Sequence, residues 1–117
     1  MTRTIFDDLL PPSRDLDAFI ATHVLGWQEV RWHQRHNVYV GKSPGSTTES
    51  QVPRFTEQDD LVTTVQMALH RLGYSVQATP VPEGWRVQVG DAAATLRTLP
   101  LALCASVWRA LRAALDT

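Results

Sequence analysis

Cysteine is almost missing from this chain: Cys104 is the only one among 117 residues. An internal disulfide is therefore excluded, and a single thiol fits a reducing compartment. Lysine is as scarce, since Lys42 is the only one and the other ten basic residues are arginine. Arginine favours phosphate and carboxylate recognition, but a GC-rich coding sequence gives the same skew, and that plainer cause outweighs it. Charge of one sign is lacking as well. The net charge of -1 gives no general pull toward nucleic acid or a membrane surface. No apolar stretch approaches the ~18 residues needed to span a bilayer. Asp7 and Asp8 interrupt the first apolar run, so no basic-then-apolar leader is expected. There is no Cys-x-x-Cys and no His-Glu-x-x-His, and Gly41-Lys42-Ser43-Pro44-Gly45 lacks the strand–GxxxxGK[ST]–helix context of a phosphate loop. These absences predict a soluble, cytoplasmic protein with no membrane partner, no cofactor and no resident metal.

What is present is ordinary globular material. With 44% hydrophobic and 20% charged residues, the chain has the composition and length of one domain with a usable core. Residues 1–12 lack periodicity and end in Pro11-Pro12, so they are expected to form an N-terminal arm before a single domain over 13–117. Ser13 is a plausible cap for a first helix, whose stripe Leu16, Phe19, Ile20, His23 and Val24 repeats at helical spacing. Gly26 closes it. From Trp27 the period becomes two, which predicts a strand with Gln28, Val30 and Trp32 on one face. Gln34-Arg35-His36-Asn37 reads as a hairpin turn and Val38-Tyr39-Val40 as the returning strand. Residues 41–53 are rich in Gly, Ser, Thr and Pro and read as one long irregular loop.

A second helix is expected to begin at Thr56, with Asp59 three positions on and a buried stripe of Leu61, Val62, Val65, Ala68, Leu69 and Leu72. Gly73 ends it. Three alternating strands follow: one from Tyr74, one from Trp85 after Pro82-Glu83-Gly84, and one from Ala92 after Gly90-Asp91. Thr98 caps a last helix with Pro100 in its first turn and a stripe of Leu101, Cys104, Val107, Trp108, Leu111 and Leu115. The order is αββαβββα. It predicts an α+β fold in which an antiparallel sheet is layered with helices.

Three segments then carry a family resemblance. Residues 16–27, Leu-Asp-Ala-Phe-Ile-Ala-Thr-His-Val-Leu-Gly-Trp, end in an apolar-x-Gly-Trp junction; Pro53-Arg54-Phe55-Thr56 precedes the middle helix; Pro100-Leu101-Ala102-Leu103-Cys104-Ala105 opens the last one. In this order and spacing the chain resembles the phage ABA-sandwich domain, a small α/β family of phages and prophages, over roughly residues 15 to 113. His23 departs from the lysine-like residue more usual there, and the 41–53 loop is longer and more polar. The resemblance implies a layered αβα fold and a mobile-element origin, and it supplies no catalytic residues.

The constellations that could carry chemistry are few. Cys104 lies on an apolar stripe and is expected to be buried rather than nucleophilic. His33 and His36 flank the hairpin turn, but a metal needs three or four ligands, and His23, His70 and Cys104 complete no motif. Glu57, Asp59 and Asp60 suit a helix N-terminus for dipole reasons alone. The hairpin is richer: Trp32, His33, Arg35, His36 and Tyr39 gather aromatic and basic groups, with Trp85 and Arg86 added from a later strand. Such groups form protein-binding hot spots, and they also stack on bases and contact phosphate. The sequence therefore predicts a non-enzymatic accessory protein, a protein-interaction module or inhibitor of a host protein that could also self-associate as a homo-oligomer. The alternative is a small-molecule, nucleotide or nucleic-acid binder using the hairpin, the 41–53 loop and Arg86, Arg97 or Arg109.

Overall fold

The computed structural model describes residues 14–115, with side chains through Arg112. The expected N-terminal arm and the Ser13 cap lie outside the described residues. Helix α1 spans Arg14–His23 and buries Leu16, Ala18, Ile20 and Ala21. Its exit is tightly bonded: Leu25 N–H donates to the Ile20 carbonyl and Trp27 N–H to that of Ala21. The chain reverses through Gly26 at φ +75°, a backbone that glycine adopts without steric cost.

Strands β1 (Gln28–His33) and β2 (Val38–Lys42) form the expected antiparallel hairpin. Its register shifts between Gln28 and Arg31, where Glu29 has φ +56°. One extra residue in β1 is a β-bulge, which interrupts strict alternation. Gln28 therefore sits opposite Lys42, on the face of Arg31 and His33, and not on the face of Trp32 as simple alternation implied. The 41–53 stretch is also more ordered than its composition suggests. β2 continues to Lys42, and β3 (Ser50–Gln51) pairs with Val40 and Gly41 to leave residues 43–49 and 52–53 irregular. Two polar residues give no period-two signal, so β3 was invisible in the sequence.

The second helix begins later than Thr56. A turn occupies residues 55–57, a short 3-10 turn covers Asp59–Leu61, and α2 runs Val62–Arg71. Thr56 is instead a buried anchor whose N–H donates to the Asp17 carboxylate. Val62, Val65, Ala68 and Leu69 form the buried stripe of α2, but Leu72 is 51% exposed. Leu72 has the right spacing for the core, yet the chain turns away at once through Gly73, and the described residues leave half of it exposed.

A meander of β4 (Val76–Val81), β5 (Gly84–Val89) and β6 (Ala92–Leu96) makes a second antiparallel sheet, in the order β4-β5-β6. The fold is therefore α+β with two three-stranded antiparallel sheets rather than one sheet. Helix α3 spans Leu99–Leu115, and Leu101 N–H meets the Thr98 hydroxyl at 3.4 Å, as a capping threonine should. Residues 101 to 108 are all buried, the signature of a helix surrounded by structure. It packs on β5 and β6 and also meets α1, which in turn packs on β1 and β2. Each fully buried leucine or valine there contributes about 1.5–3 kcal/mol. No described helix is long and apolar enough to cross a membrane.

Candidate binding groove and hairpin tip

The two ends that glycine closes, at Gly26 and Gly73, lie beside one groove. Its walls are Val24, Leu25 and Trp27 from the α1 exit, Pro44 from the 43–49 loop, and Thr64, Ala68, Arg71 and Leu72 from α2. A Cβ placed on Gly26 would lie 3.9 Å from Pro44, which measures how closely the loop covers that junction. The groove is open and encloses about 340 Å³, near the lower end of the range for ligand pockets, ~300–1,000 Å³.

On α2, Thr64, Met67, Ala68 and Arg71 fall at i, i+3, i+4 and i+7, so they form a continuous stripe. Met67 is 54% exposed, and Leu72 extends the apolar surface at the end of the stripe. Among the groove's lining residues Arg71 alone carries a charge, and no acidic residue stands with it. It also serves the helix itself, because a cation in the last turn complements the helix dipole. An apolar cleft with one cation at its wall suits an apolar group that carries a carboxylate.

The hairpin residues expected to form a site are brought together in part. The Trp32 and Tyr39 rings meet edge to face with centroids 5.1 Å apart. The His33 and His36 rings stack at 4.7 Å, and the His36 N–H donates to His33 Nδ1. Arg35 is exposed in the turn. The surroundings use up much of this chemistry: Tyr39 donates to Asp15, Arg31 pairs with Glu49, and Arg14 donates to the Asn37 carbonyl. Trp85 and Arg86 belong to the other sheet. Trp85 packs half-buried against the core, while Arg86 projects from the opposite face of β5, in register with Thr79 and Thr95. Arg97 is exposed, and Arg109 donates to the Ala93 carbonyl at 2.7 Å.

Cys104 is fully buried, and burial first, then the charge of Asp17, pushes its thiol well above the usual range. A thiol held protonated and out of solvent is a poor nucleophile. Among the described residues no group of three or more His, Cys, Asp or Glu side chains could hold a metal ion.

Asp17 and the groove were both missed by the sequence reading. Asp17 is 3% exposed, yet on α1 it looks like any polar helix residue, because the turn that covers it comes from residues 53–56. Leu72 and Met67 carried a signal only in retrospect, as apolar residues beside the glycine that ends α2. No family model, no curated protein and no solved structure matches this chain, so the phage ABA-sandwich resemblance rests on its three motifs alone.

Proposed function

We propose that this chain is a non-catalytic protein-interaction module, and that the groove between the α1 exit and α2 takes an amphipathic segment of a partner protein bearing an acidic residue. The observation that carries this reading is the pairing of Met67 and Leu72, both about half exposed, with a groove whose single charge is Arg71. Exposed apolar surface of this kind marks interaction sites, and methionine adapts to irregular partners. A symmetric second copy fits less well, because apposing the groove to itself brings Arg71 toward its own equivalent. The buried Cys104 thiol removes one candidate nucleophile. The resemblance to the phage family supports a place among accessory proteins of mobile elements.

The test uses two helical probe peptides with the same leucine stripe, one flanked by glutamates and the other by lysines. Binding is followed through the indole resonance of Trp27, which lines the groove. The acidic peptide is expected to bind at least ~10-fold tighter, the equivalent of about 1.4 kcal/mol. Equal binding of both peptides, or of neither, overturns the reading.

A second reading follows from Trp32, which is 42% exposed and meets the Tyr39 ring on one face of the hairpin. A single-stranded nucleic acid could stack there, with affinity that falls steeply as salt rises. It ranks second because Arg31 and Arg14 are already engaged. Tryptophan fluorescence that stays flat across an oligonucleotide titration at low salt removes it.

A further inference from the structure

The segment that leads from β3 into α2 is fastened at two buried points. On one side the Asp17 carboxylate of α1 accepts the Thr56 N–H at 2.8 Å, with both residues buried. On the other the Cys104 thiol of α3 donates to the Phe55 carbonyl at 3.5 Å. Between them the Thr56 hydroxyl is fully buried beside the same carboxylate.

A fastening made by a buried carboxyl depends on its proton. Burial raises the Asp17 carboxyl from 3.8 to about 6, against the pull of both the Thr56 N–H and the Thr56 hydroxyl; Glu57 adds to the rise and Arg54 opposes it. The other ionisable groups that face this point are Cys104 from α3, Arg14 and Asp15 from α1 itself, and Tyr39 from β2. Arg14, Arg54 and Tyr39 line a cleft beside Asp17 with room for about one water molecule, which gives protons a route to the carboxyl. Once protonated, the carboxyl gains an O–H that the Thr56 hydroxyl oxygen can accept.

We propose that Asp17 and the turn 53–57 form a proton-operated latch: the turn is seated most firmly on α1 and α3 while the buried Asp17 carboxyl is protonated, and its hold loosens when Asp17 ionises. Helix α2 starts at Val62, just beyond the turn, so the latch also tunes one wall of the groove. That last consequence rests on the docking reading; the latch itself does not.

Amide hydrogen exchange on the full chain tests it, with rates corrected for their intrinsic pH dependence. Because the carboxyl titrates from 3.8 when free to about 6 when seated, Thr56 protection is expected to fall about tenfold per pH unit across that window, roughly a hundredfold in all, and then to level off. The Val107 amide inside α3 stays protected throughout. Asp17→Asn keeps an acceptor but removes the titration, so Thr56 protection becomes flat with pH. The exposed Glu57→Gln change leaves the core untouched and moves the levelling point to lower pH, which keeps the test alive should the first variant fail to fold. Thr56 protection that does not change with pH, Thr56 and Val107 losing protection together, or a levelling point unmoved by Glu57→Gln overturns the latch.

Discussion

The Ser106 hydroxyl, fully buried on α3, donates to the Val87 carbonyl on β5 at 2.7 Å and shares its hydrogen with the Ala102 carbonyl at 2.8 Å. It is a polar pin between the otherwise apolar buried face of the helix and the central strand of the second sheet. Ser106→Ala keeps the shape and removes only the pin, so it is expected to cost about 1 kcal/mol. Denaturant midpoints with an unchanged slope would report this; a loss of several kcal/mol would mean that the sheet separates from the helix.

Gly84 opens β5 with φ +144°. A Cβ there would lie 2.3 Å from the Leu96 carbonyl oxygen and 2.7 Å from the Arg97 backbone. These obstacles are main chain of the neighbouring strand and cannot swing aside. Gly84→Ala is therefore expected to destabilise by more than about 2 kcal/mol, through strain and displacement together. Gly45→Ala is the control: it too has positive φ, but open space surrounds its Cβ position. Thermal melts of the two variants should separate backbone strain alone from strain plus collision.

Tyr39 links the hairpin to α1. Its hydroxyl is pushed up from 10.0 to about 12, first by burial and then by its hydrogen bond to Asp15 and that residue's charge. The fold thus prefers the neutral phenol. The stabilisation is complete below pH 10 and is lost as the pH climbs to about 12. Phenolate absorbance in an alkaline titration should show Tyr39 ionising only near the upper limit, and normal ionisation would mean that the contact to Asp15 does not persist. Tyr39→Phe keeps the ring against Trp32 and is expected to cost about 0.5–1.5 kcal/mol.

Much of the architecture was legible because local patterns and tertiary packing agree. Val87 and Val89 alternate with exposed Arg86 and Gln88, Gly26 and Gly73 stop their helices, and Thr98 caps α3. Legibility failed where a distant segment decides the environment. Asp17 is buried by residues 39 positions away, and Thr56 exchanges a helix-start role for that same contact. Glu29 adopts a left-handed backbone that no glycine announces. Of the candidate site, the hairpin was readable from residue type, but the groove was not, because it depends on which face of α2 the fold leaves uncovered.

Leu69 and Leu72 put that dependence to the test, since they sit three residues apart with opposite surroundings. Leu69 is 0% exposed and Leu72 is 51% exposed. Leu69→Ala removes buried methyls and leaves a cavity, a loss expected to be about 2–5 kcal/mol of stability. Leu72→Ala should stay within about 0.5 kcal/mol, as surface changes usually do. If the groove is a docking site, the order reverses for binding. Leu72→Ala and Met67→Ala should each weaken the glutamate-flanked peptide while the fold stays intact. Arg71→Glu should abolish the preference for that peptide over its lysine counterpart, because it replaces the only charge in the wall. Three variants with unchanged melting and unchanged peptide affinity would assign the exposed stripe of α2 to plain surface and leave the Trp32 hairpin as the place to look.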